Sequence, residues 1–159
     1  MGEDPVKLGL VASLARPGGN MTGINVLNWE VDVKRLALLH ELVPEATHVA
    51  VLVGPATTNG DAGLQAMQEA APAIGLQLRI LNAHTSREID AAFARFGRER
   101  PDAVFVGLDA FLNSRRAQLV NLASRRALPA IFPTRDIAEI GGLMSYGVMA
   151  ARRPVYRIP

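Results

Sequence analysis

The sequence of 159 residues contains no cysteine. That excludes disulfides, thiolate zinc sites and thiol nucleophiles, and leaves the compartment open. Aromatic residues make up only 5% of the chain. No stacking platform for bases therefore accompanies its basic residues. Long hydrophobic runs are lacking, and none approaches the roughly 18 residues that span a bilayer. An excess of one charge is lacking too, since the net charge is +2. Arginine supplies 15 of the 17 basic residues, but the pairs Arg115-Arg116, Arg125-Arg126 and Arg152-Arg153 are scattered. They read as solvated helix faces, and no nucleic-acid partner is expected. The opening "MGEDPVKLGL" has no basic region followed by an apolar one. As it stands it is no signal peptide.

Catalytic signatures are missing as well. Neither G-x-x-x-x-G-K-[ST] nor G-x-S-x-G occurs. "GPATTNGDAG" (54–63) has the setting of a phosphate loop, between a strand and a helix. Its glycines at 54, 60 and 63 do not match G-x-G-x-x-G, and no lysine follows. His40, His48 and His84 are far apart, and none has a second histidine or carboxylate placed to share a metal. The expectation is no enzyme, no cofactor and no metal.

What is present is alternation. The chain is 49% apolar and 20% charged, a balance that suits one globular domain. "THVAVLV" (47–53), "LQLRIL" (76–81), "DAVFVGL" (102–108) and "LPAIF" (128–132) read as buried strands, with "TGINVL" (22–27) and "GLMSYG" (142–147) as weaker ones. Between them lie amphipathic segments. In "VDVKRLALLHELV" (31–43), Leu36, Leu39 and Val43 share a face. Segment 61–75 carries Leu64, Met67, Ala71 and Ile74 on one face, a kink expected at Pro72, and a C-cap at Gly75. Segment 85–97 opens on the capping-box pair Thr85 and Glu88 and should end at Gly97. The span 110–127 is the longest helix expected, and 134–141 a short one. Such alternation predicts an α/β fold: a mostly parallel sheet of five or six strands with helices on both faces.

In such sheets ligands bind beyond the carboxyl ends of the strands. That rule selects Asn28, the loop 54–59 with Thr57, Thr58 and Asn59, then His84, Asp109 to Phe111, Pro133 to Asp136, and Tyr146. Asp109 suits either a ligand ammonium, a phospho-acceptor, or an N-cap for the helix that follows. Arg135 suits either a bidentate carboxylate clamp or a solvent-facing helix start. Tyr146 lines a cleft or sits half-buried at an edge. A phospho-acceptor receiver centred on Asp109 would need an acidic pair after its first strand and a lysine after its fifth, and neither is visible.

"DPVKLGLVASLARPGGNMTGINV" (4–26), "KRLALLHELVPEATHVAVLVGP" (34–55), "LPAIFPTRD" (128–136) and "EIGGLMSYG" (139–147) together resemble the ABC-transporter substrate-binding family that includes the TrpX-like proteins. The resemblance implies a type I periplasmic-binding-protein fold, in which two α/β lobes close on a small solute without chemistry. It divides the chain into a first-lobe remnant and hinge approach (1–21), a second lobe (22–150) and an atypical tail (151–159). On this reading "ARPGGNMTG" (15–23) leads a first-lobe helix into a crossover strand, and Asp4 faces the cleft from the first lobe. Thr57, Thr58, Asn59, Asp109, Phe111, Arg135 and Tyr146 line the opposite wall. The resemblance implies a small polar or amino-acid-like ligand, a membrane permease as partner, and a periplasmic or extracellular, membrane-associated location. The same lobe also serves as the ligand-sensing domain of transcriptional regulators and receptors. Two departures stand out: Gly54-Pro55 replaces the family's Asn-Pro, and Pro154 falls where a long helix usually runs. The apolar segment 6–14 should be covered by its own lobe or by a second copy, giving a homodimer.

Overall fold

The computed structural model describes Ala12 and residues 28–55 and 60–147. The expected strand over 22–27, the expected first-lobe helix, the tail 151–159 and, Ala12 apart, the segment 6–14 expected to dimerise lie outside the described residues, as do Asp4, Thr57, Thr58 and Asn59.

The described chain runs α1 (Asn28–Leu42), β1 (His48–Val53), α2 (Gly60–Ala70), a 3₁₀ turn (Ala71–Ile74), β2 (Gln77–Asn82), α3 (Ser86–Glu99), β3 (Ala103–Val106), α4 (Ala110–Ser114), α5 (Arg116–Arg125), β4 (Ala130–Phe132), α6 (Arg135–Glu139) and β5 (Met144–Ser145). The five strands form one all-parallel sheet in the order β2-β1-β3-β4-β5. The predicted α/β class and parallel sheet are therefore present, with five strands among the described residues.

The two faces follow from the strand period of two. Val49, Val51 and Val53 of β1, Ala103 and Phe105 of β3 and Ile131 of β4 share one core with Leu36 and Leu39 of α1 and Met67 of α2. Ala50, Leu52, Val104, Val106, Ala130 and Phe132 point the other way, into a core with Ile89, Phe93 and Phe96 of α3 and Leu119 and Val120 of α5. Both faces of the sheet are covered, which is why its strands read as continuous apolar runs. Gln118 of α5 binds Ser86 O at 3.0 Å and Asp90 Oδ1 at 2.8 Å, tying α5 to α3.

Local chemistry sets most of the boundaries. Pro72 does alter the end of its helix: the α-helix stops at Ala70 and a 3₁₀ turn carries the chain to Gly75, which has φ 76°. Thr85 caps α3 by accepting from Glu88 N at 3.2 Å, while Glu88 Oε2 accepts from His84 N at 2.6 Å. Two expectations are corrected. α3 does not end at Gly97 but continues to Glu99, and Arg100 supplies the left-handed closing residue at φ 42°. The long helix over 110–127 is two helices broken at Arg115. Ser114 Oγ donates to Phe111 O at 2.7 Å, a local bond that competes with helical continuation.

Candidate functional site at the carboxyl edge of the sheet

The strand order reverses between β1 and β3: β2 lies on one side of β1, and β3, β4 and β5 follow on the other. Such a switch point is where an open α/β sheet leaves a crevice. Its floor is Gly54, following β1, and Asp109, following β3. A Cβ on Gly54 would overlap Oδ1 and Cγ of Asp109 and stand 2.8 Å from Oδ2. The glycine is therefore a close-approach residue. The space left by its missing side chain belongs to Asp109, not to a ligand.

Asp109 is 1% exposed and its Oδ1 accepts from Leu112 N at 2.9 Å. Of the roles open to it in the sequence, the N-cap is the one the structure displays. It holds α4, and so fixes the half-buried Phe111 on that helix. Arg135 stands at the start of α6, exposed, with Nε 3.9 Å from Glu139 Oε1. Tyr146 follows β5, is 37% exposed, and donates its backbone N–H to Phe132 O at 3.1 Å. Because β3, β4 and β5 are neighbours, Phe111, Arg135 and Tyr146 lie on successive strand ends of one edge. The loops are stitched together. Thr134 Oγ1 donates to Asn113 Oδ1 at 3.3 Å, and Arg116 lies 3.8 Å from Asp136. His84 has an exposed side chain and contributes its backbone to the α3 cap.

Sequence reasoning missed three residues here, all on α1. This helix packs over β3 and β4 and brings its first turns to the same edge. Lys34 Nζ stands 5.2 Å from the Tyr146 ring centre, and interaction with the phenol raises its ammonium pKa. Arg35 is 1% exposed. Its guanidinium bonds Asp32 Oδ1 at 2.9 Å and Val106 O at 2.6 Å and lies 4.2 Å from the Phe105 ring centre. Burial raises the Asp32 carboxyl and lowers Arg35 to about 10, with the mutual attraction opposing both shifts. The signal was legible: extending the Leu36–Leu39–Val43 stripe back by helical steps lands on Asp32 and Arg35.

Among the described residues no cluster of three or more metal-ligating side chains occurs, and no helix is long and apolar enough to cross a membrane. A groove of about 310 Å³ between α5 and residues 141–143 is lined by Val120, Ala123, Leu128, Phe132 and Leu143. It borders the amino ends of β4 and β5 and includes none of the site residues.

A parallel sheet covered by helices on both faces is the fold shared with periplasmic-binding-protein-like solved structures. The chain belongs to the ABC transporter substrate binding protein family, whose model matches residues 1–153. A curated tyrosine-binding protein from Clostridioides difficile is 26% identical over 145 residues, covering 91% of this chain and 41% of that protein. An ABC domain from Streptococcus pneumonia solved in complex with L-Trp has a TM-score of 0.71 at 23% identity, covering 91% of this chain and 49% of its own. The ligand-free, open structure of a substrate-binding protein with adhesive properties from Clostridium difficile gives 0.69 at 26% identity, covering 89% and 47%. The chain thus spans two-fifths to one-half of these relatives' length.

Proposed function

We propose that this chain supplies one lobe of the solute-binding component of an ABC importer, and that its carboxyl edge forms one wall of a cleft for an aromatic amino acid. The family match over residues 1–153 carries the reading. The names of the relatives, one tyrosine-binding and one holding L-Trp, supply the ligand class. The edge has suitable chemistry. Phe111 and Tyr146 offer rings for stacking, and Arg135 offers a guanidinium for the ligand carboxylate. Thr57, Thr58 and Asn59 on the loop after β1, and Asp4 from the other lobe, complete the wall in this proposal. Asp109 acts from beneath by fixing Phe111. Binding is the whole activity; no bond is made or broken.

The same proposal places the protein outside the cytoplasmic membrane, periplasmic or extracellular, with the importer's permease as its partner. It takes self-association through residues 6–14 as the way that apolar segment is covered. The three relatives described above offer no parallel for a regulator's sensor domain, and the transport reading is preferred.

The test is titration of the chain with L-tyrosine, L-tryptophan and L-alanine, read by amide chemical shifts. The aromatic amino acids should move Gly54, Gly107, Phe111, Arg135 and Tyr146 and leave Asp102 and Gln77 at the opposite edge in place. Shifts confined to the opposite edge, or equal shifts with L-alanine, would count against the ligand class.

A further inference from the structure

Arg35 is 1% exposed, as deeply buried as Asp109, and neither composition nor family membership accounts for it. The β3–β4 ladder does. Val104 pairs with Ala130 and Phe105 with Ile131, and Val104 N donates to Pro129 O at 2.8 Å. In a parallel ladder every second residue of a strand faces a given neighbour, donating to the carbonyl before its partner and accepting from the N–H after it; on β3 these are Val104 and Val106. Continued one step, this register turns the Val106 carbonyl toward the N–H of residue 133. Residue 133 is proline and has none. Val106 is 1% exposed, so its carbonyl would be a buried acceptor without a ladder donor. Nη2 of Arg35 stands at that place, 2.6 Å from the oxygen and 71 residues away in sequence.

We propose that Arg35 is a positioning residue whose guanidinium substitutes for the backbone donor that Pro133 lacks, holding the carboxyl end of β3 in place beneath the ligand edge. The remaining contacts fit that role. Phe105 underlies the guanidinium at 4.2 Å, and Asp32 orients it through Nη1 at 2.9 Å. Three residues beyond Val106 lies Asp109, whose cap sets Phe111. On the other side of the gap, Phe132 O receives Tyr146 N, and a Cβ on Gly147 would stand 3.1 Å from Pro133 C and closer still to its oxygen. One side chain of α1 thus completes the junction from which Phe111 and Tyr146 both extend. The inference rests on the proposed cleft only in naming what this edge is for.

The test is a cycle between Arg35 and Pro133, carried out in an Asp32→Asn background so that no carboxylate is left buried without its cation. Amide hydrogen exchange is measured for that background, with Arg35→Met, with Pro133→Ala, and with both. Arg35→Met should speed exchange at Gly107 and Leu112 by about tenfold or more relative to Ala83 and Asp102, as loss of a charge-assisted bond implies. Pro133→Ala restores a backbone N–H and should reverse most of that change. Uniform acceleration at all four amides, or a loss undiminished by Pro133→Ala, would overturn the proposal. If the Arg35→Met protein does not fold, the cycle is read as folding: Pro133→Ala should restore it, and a triple variant that stays unfolded overturns the proposal. No ligand is needed, so the outcome is independent of the ligand assignment.

Discussion

Gly54→Ala is the sharpest perturbation of the switch-point floor. The added methyl would overlap the Asp109 carboxylate, which is 1% exposed and held by Leu112 N at 2.9 Å. The short Asp109 side chain cannot swing clear without giving up that cap. Overpacking of a filled site costs about 1–3 kcal/mol. Loss of an N-cap adds about 0.5–2 kcal/mol. The reduced freedom of the unfolded chain returns about 0.4–1 kcal/mol. The expected net is a destabilisation of about 1–4 kcal/mol, measured by urea denaturation. Asp109→Gly keeps a tolerated N-cap residue and empties the space, so Gly54→Ala should cost at least about 1 kcal/mol less in that background. Additive costs in the double variant, or a Gly54→Ala protein as stable as the parent, would refute the packing argument.

Phe93→Ala removes a fully buried ring set edge-on to Phe96 at 5.0 Å, and denaturation should show a loss of about 3–5 kcal/mol. Asp102 accepts from Thr47 N and His48 N, each at 2.9 Å, and these bonds hold its carboxyl below the usual range. A lowered folded pKa means stability present above the unfolded value and lost as pH falls through the folded one. The deficit of Asp102→Ala against the parent should therefore shrink below about pH 4 in a pH series of unfolding curves. With a side chain 39% exposed, that deficit should stay near or below about 1 kcal/mol at pH 7. Arg135→Ala should weaken any aromatic amino-acid binding by about tenfold in the shift titration while leaving the unfolding midpoint within about 0.5 kcal/mol of the parent's.

The elements legible in the sequence were those whose signal is local. β1 reads from an unbroken apolar run because it is buried on both faces. The start of α3 reads from Thr85 and Glu88 because a capping box is a contact between near neighbours. A disturbed last turn reads from Pro72 because a missing donor acts within one turn, although the pattern shows a kink and not the 3₁₀ turn that forms. The break at Arg115 was not legible, since the spacing of apolar residues runs through it, and the bond of Ser114 to Phe111 O is a matter of side-chain choice.

The site divides along the same line. Its strand-end positions followed from topology, so Phe111, Arg135 and Tyr146 could be named in advance. The α1 stripe marks Asp32 and Arg35 as inward-facing, but what the supports beneath the edge hold could not be read, because each joins residues distant in sequence. Gly54 reads as a departure from the family's Asn-Pro until Asp109, 55 positions later, occupies its space. Pro133 reads as the end of a strand until Val106 on the neighbouring strand is seen to need its donor. Arg35 reads as one more charge on an amphipathic helix until it supplies that donor from 71 residues away. Local pattern therefore finds the residues that project from this edge, and long-range pairing determines which residues hold it. Substitutions among Gly54, Asp109, Arg35 and Pro133 should accordingly be interdependent, whereas those at Arg135 should be nearly additive with them.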